Sequence, residues 1–175
     1  MLLIMAKLYF YYSTMNAGKT TKLLQSNFNY NERNMQTLLY TSVHDNRFGQ
    51  SRIASRIGVS AIANTFDNNT NLFNDIMTRD WKNISCVFID EAQFLTKNQV
   101  NDLCKVVDQL NIPVLTYGLR TDFLGEPFEG SIYLLLWADE LIEVKTVCHC
   151  GKKAIMNAKL DRDRKSGSAG MPRPI

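Results

Sequence analysis

The chain has 175 residues, room for one domain with a buried core and a small appendage but not for two large domains. Apolar residues at 45% and charged residues at 21% are ordinary globular values, which excludes a wholly disordered or collagen-like chain. The net charge of +3 is unevenly spread, with 13 basic against 15 acidic groups in residues 1–150 and 7 against 2 in residues 151–175. The basic character therefore belongs to the tail, where dispersed charge is expected to solvate the terminus rather than to grip nucleic acid.

The opening Met1-Leu2-Leu3-Ile4-Met5-Ala6-Lys7 is too short for the apolar centre of a secretory signal and has no basic flank before it. No stretch approaches the roughly 20 apolar residues that span a bilayer. Cys86, Cys104, Cys148 and Cys150 do not space out as a secreted disulfide framework, so a reducing, cytoplasmic setting without a membrane partner is expected.

In chain order, Lys7–Tyr12 reads as a buried aromatic strand, and Lys19–Phe28 as a helix entered through a short polar turn. Thr37–Thr41 reads as a strand, Asn64–Asn71 as a polar loop, and Leu72–Arg79 as a helix. Ser85–Asp90 is an apolar strand ending in acids, Thr96–Leu110 has helical spacing, and Pro113–Tyr117 is a further strand. Tyr133–Ala138 fits either a strand or the start of a helix, and Leu141–Val147 a strand. Strands alternating with helices predict an α/β fold, a parallel sheet flanked by helices.

Two motifs carry chemistry. Ser13-Thr14-Met15-Asn16-Ala17-Gly18-Lys19-Thr20 matches G-x-x-x-x-G-K-S/T apart from Ser13 in place of the first glycine, and it sits between strand and helix. There, successive backbone N–H groups and a helix N-terminus cradle phosphate, Lys19 adds a point charge, and Thr20 is a candidate Mg²⁺ ligand. Val87-Phe88-Ile89-Asp90-Glu91 supplies the partner strand: Asp90 is a candidate for holding Mg²⁺, and Glu91 for taking a proton from an attacking hydroxyl or water. Together they predict a P-loop site for a nucleoside triphosphate.

Further segments resemble the type II thymidine kinases, most closely the bacterial members. They are Tyr9-Phe10-Tyr11-Tyr12 leading into Met15–Lys19, Asp45-Asn46-Arg47-Phe48-Gly49, Asp90-Glu91-Ala92-Gln93-Phe94-Leu95, and Tyr117-Gly118-Leu119-Arg120-Thr121-Asp122-Phe123, collinear from about Lys7 to about Asp161. The resemblance implies transfer of the γ-phosphoryl group of ATP to the 5′-hydroxyl of thymidine or deoxyuridine, in nucleotide salvage, by a homotetramer that needs no nucleic acid. It implies that Glu91 is the general base, that residues 13–20 and Asp90, Glu91, Ala92 and Gln93 contact ATP, and that Asp45 and Arg47 lie near the phosphates and Mg²⁺. Phe123 matches a residue that packs on the thymine ring. His44 adjoins the Asp45 segment, but nothing in the pattern requires a histidine there, and it reads as a loop residue.

Cys148-His149-Cys150-Gly151 resembles the first half of a zinc ribbon, a site that four ligands close. The second ligand pair is absent from the sequence, while Cys86 and Cys104 belong to core elements. Three segments are thus expected: a P-loop kinase domain at 1–146, the first half of a zinc-ribbon subdomain at 147–161, and a divergent, disordered tail at 162–175. The tail suggests truncation by a frameshift near Arg164, sparing the ATP contacts and removing part of the thymidine enclosure. Two alternatives stand beside a thymidine kinase: a P-loop ATPase acting on nucleic acid through the basic tail, and a non-catalytic nucleotide-binding remnant.

Overall fold

The computed structural model describes residues 5–44 and 51–157; the tail at 162–175 lies outside them. Eight strands and four α-helices are described, besides two short 3-10 turns: β1 (Leu8–Ser13), α1 (Lys19–Asn31), β2 (Gln36–Ser42), β3 (Arg52–Ala54), β4 (Ser60–Ile62), β5 (Asn64–Phe66), α2 (Leu72–Met77), β6 (Ile84–Ile89), α3 (Lys97–Leu110), β7 (Val114–Leu119), α4 (Glu129–Trp137) and β8 (Glu140–Glu143). Six strands form one sheet in the order β5-β2-β6-β7-β1-β8, with every neighbouring pair parallel. β3 and β4 stand apart as an antiparallel hairpin.

The sheet is buried on both faces, and β6 shows why its sequence is continuously apolar rather than alternating. Val87 and Ile89 enter the core shared with α2, α3 and α4, while Cys86 and Phe88 enter the core shared with α1 and the hairpin. β1 divides in the same way: Leu8 and Phe10 face the first core, and Tyr9 and Tyr11 pack against the second.

α3 begins in a complete capping box, in which Thr96 accepts from the Gln99 backbone and the Gln99 side chain accepts from the Thr96 backbone. The Gln99 amide also donates to the carbonyls of Asp67 and Thr70 at 2.6 and 2.9 Å, tying the helix start to the loop before α2.

Two expectations change and one open choice is settled. Asn64–Phe66 is a strand rather than loop, because Phe66 is buried and the Asn64 amide donates to the Leu39 carbonyl while the backbone pairs with Tyr40–Ser42. The open choice at Tyr133–Ala138 resolves as helix α4. The run expected from Leu141 to Val147 is strand only through Glu143. The β3–β4 hairpin carried no recognised signal, since each of its strands has only three residues.

α4 lies unusually close to the turn after β6. A Cβ on Gly130 would stand 2.6 Å from the Ala92 carbonyl oxygen and 2.7 Å from that of Leu95, so only glycine permits this approach. Gly130→Ala is expected to lower stability by about 1–3 kcal/mol through overpacking, read as a fall in the urea midpoint at unchanged slope.

Candidate functional site

The parallel order carries the ends of β1, β2, β6 and β7 to one edge, where open α/β sheets bind ligands. A cleft of about 720 Å³ opens there. Its floor is the turn between β1 and α1. Asn16 and Gly18 lie in the left-handed region at φ 62° and 80°, reversing the chain so that α1 begins at Lys19. Gly18 suits that conformation because it has no Cβ.

The N-terminus of α1 has no side-chain cap and no acidic residue in its first turn. Gly18 at the N-cap has no side chain with which to cap the helix, and an uncapped N-terminus of this kind favours a bound anion. Among the described residues the Thr14 hydroxyl is buried without a hydrogen-bond partner, and the Lys19 ammonium donates to the Thr14 carbonyl at 2.7 Å. This loop fits a polyphosphate. Ser13, the departure from the motif, has a local role: its hydroxyl donates to the Val144 carbonyl, fastening the start of the loop to the chain leaving β8.

The second wall is the acid pair. The Thr20 hydroxyl donates to Asp90 Oδ2 at 3.0 Å, while Asp90 Oδ1 accepts from the Glu91 backbone at 3.0 Å. Glu91 itself is left-handed (φ 50°, ψ 40°), an uncommon conformation for a non-glycine residue that concentrates at functional sites. Its carboxylate accepts from the buried Gln93 amide at 2.5 Å, and the Gln93 carbonyl oxygen accepts from the Leu119 backbone at 3.1 Å. Gln93 thus fixes Glu91 against the end of β7. A hydroxyl and a carboxylate 3.0 Å apart form a hard oxygen pair of the kind Mg²⁺ takes.

The third wall is apolar. Phe94 meets Phe128 edge-on at 5.9 Å and His44 at 5.4 Å, with Leu119 alongside in the cleft lining.

Met15, Asn16, Ala17, Gly18, Lys19 and Thr20 line the cleft, as do Asp90, Glu91 and Gln93. Thr14 and Ala92 are buried and Ser13 is half-buried, and none of the three is in the lining. Phe123 sits in the turn after β7, 43% exposed and outside the lining. Asp45 and Arg47 fall outside the described residues. The sequence pattern assigned no role to Phe128 or His44; the aromatic face they share with Phe94 forms only when residues distant in sequence are folded together.

Cys148 and Cys150 occupy a turn closed by hydrogen bonds from the Cys148 N–H to the Lys152 carbonyl and from the Gly151 N–H to the Cys148 carbonyl. Among the described residues, no group of three or more His, Cys, Asp or Glu side chains gathers to hold a metal. Two thiols fall short of the four ligands of a structural zinc, so the described residues do not complete that site.

A six-stranded parallel sheet flanked by helices, with a glycine–lysine turn between its β1 strand and α1 and an acid pair ending β6, fits a P-loop-like fold of the phosphotransferase kind. Within that class, the family model described as thymidine kinase matches residues 6–171, and the chain belongs to the thymidine kinase family. It is 60% identical over 159 residues to a thymidine kinase of Coxiella burnetii, covering 90% of this chain and 81% of the relative. A thymidine kinase of Mannheimia succiniciproducens is 64% identical over 151 residues (86% of this chain, 77% of the relative), and one of Legionella pneumophila 59% over 163 (91% and 77%).

The thiols differ in chemistry. Burial pushes Cys86 up to about 12, whereas the Lys152 backbone N–H, followed by the Cys148 side chain, lowers Cys150. Because the thiolate is the nucleophile, iodoacetamide at pH 8 with chelator present is expected to alkylate Cys150 first and Cys86 last, as read by peptide mapping.

Proposed function

We propose that this chain catalyses transfer of the γ-phosphoryl group of ATP to the 5′-hydroxyl of thymidine or deoxyuridine. One observation carries the reading: in a member of the thymidine kinase family, the phosphate loop with Lys19 and the acid pair Asp90–Glu91 line a single cleft beside an apolar aromatic wall. The loop N–H groups and Lys19 hold the triphosphate, and Phe94, Leu119 and Phe128 receive the pyrimidine ring. Glu91 takes the proton of the 5′-hydroxyl as its oxygen bonds to the γ-phosphorus. The bond from that phosphorus to the bridging oxygen breaks, and ADP leaves with the electron pair. Thr20 and Asp90 would hold Mg²⁺, which neutralises charge developing on the phosphate oxygens.

Asp45 and Arg47 are assigned to the phosphates by resemblance, and Phe123 to the nucleoside side. Assembly as a homotetramer is likewise proposed by resemblance, and the outward side chains of α4, with Leu136 68% exposed, support burial against further copies. A cytoplasmic location accords with this chemistry; no described helix is long and apolar enough to cross a membrane.

The test is ATP-dependent conversion of thymidine to its monophosphate by the purified chain. Glu91→Gln is expected to lower kcat by about 10²–10⁴-fold, the range for loss of a general base, with the KM for ATP within twofold. Lys19→Ala should abolish turnover by weakening ATP binding. ATP hydrolysis that DNA stimulates and thymidine does not affect would overturn the proposal.

Gln93→Leu separates two roles. If Gln93 holds Glu91 in place, kcat falls about tenfold and ATP affinity is unchanged. A raised KM for ATP at unchanged kcat would instead make it an ATP contact.

A further inference from the structure

Downstream of the thiol turn, Ala154–Asn157 crosses back over the cleft edge as a short strap. Ala154 donates to the Thr146 carbonyl at 2.9 Å, and Arg120 donates to the Ile155 carbonyl at 3.3 Å while lying 5.1 Å over the Tyr12 ring of β1. The Met156 methyl group stands 3.3 Å from where a Cβ on Gly125 would be.

At the end of the strap, the Asn157 side chain makes two long-range bonds. Its carbonyl oxygen accepts from the Met15 backbone N–H at 2.8 Å, and its amide donates to the Thr121 carbonyl at 2.8 Å, across sequence separations of 142 and 36. One partner is a donor only and the other an acceptor only, so the pair fixes which end of the amide points where. A carboxylate could make only the first bond.

We infer that Asn157 is a positioning residue that latches the C-terminal strap to both the phosphate loop and the turn after β7, holding the two sides of the substrate cleft at one spacing. Met15 lines the cleft where the phosphate loop begins. Thr121 starts the turn that carries Phe123 and follows Leu119, which lines the opposite side. Releasing the latch frees the entrance of the loop to move relative to the nucleoside side, and phosphoryl transfer is sensitive to small misplacements. The kinetic consequence rests on the kinase reading; the latch does not.

The experiment compares the full chain with Asn157→Ala and Asn157→Asp. Hydrogen exchange of the Met15 amide, measured without nucleotide, is expected to quicken about tenfold in Asn157→Ala, the scale of one hydrogen bond, while α3 amides keep their rates. Asn157→Asp retains an acceptor and should keep Met15 protected, yet lose the Thr121 bond. Both variants should lower kcat for thymidine about tenfold with KM values within threefold. Unchanged Met15 exchange in Asn157→Ala overturns the latch, as does exchange that quickens equally throughout the chain. Faster Met15 exchange at unchanged kcat overturns the positioning role. If the parent chain does not phosphorylate thymidine at all, the kinase reading fails, and the exchange data still judge the latch.

Discussion

The contact between the Thr20 hydroxyl and the Asp90 carboxylate joins residues 70 apart in the chain, and the rest of the site is arranged around it. It requires that the end of β1 and the end of β6 open on the same edge, at a depth that brings a helix start against a strand end. The parallel sheet meets this by inserting β7 between them, with Tyr9 beside Leu115 and Phe88 beside the same Leu115, so a single register sets both loops level. A slip of one residue in either pairing would turn the buried residues of that strand to the opposite core. Strict burial on both faces thus aligns the chemistry as well as stabilising the fold.

Rigidity then passes outward through polar contacts. Glu91 is held from two directions, by its own left-handed backbone and by the Gln93 amide, whose other end is fixed by the Leu119 N–H. The close approach of Gly130 to Ala92 and Leu95 backs this turn with α4. The phosphate loop is braced at Ser13 by the chain leaving β8 and at Met15 by Asn157. The cleft is therefore formed by short loops clamped between regular elements, and its parts come from both ends of the chain.

Much of this was legible in the sequence because the signals were local. The phosphate loop, its preceding strand and following helix, and the acid pair at the end of β6 each lie within a few consecutive positions. What escaped reading depends on non-local contact. β5 is dense in asparagine and threonine, and only pairing with β2 makes it a strand. The three-residue strands of the hairpin show no usable period. Phe128 and His44 look like ordinary loop residues until folding sets them beside Phe94. Asn157 carries no motif, because its partners are backbone groups whose position only the folded chain defines. Phe123 was read from resemblance alone, and it lies in the turn after β7, outside the lining of the described cleft.

The bond from Lys19 to the Thr14 carbonyl has a consequence for ligand binding. An ammonium carries three N–H donors, so this bond fixes where the side chain lies without using up its capacity to meet an anion. The rotamer freedom of a long side chain is thus lost once, in folding, and is not lost again when a ligand is bound. The charge stands in place beforehand, held by its own loop.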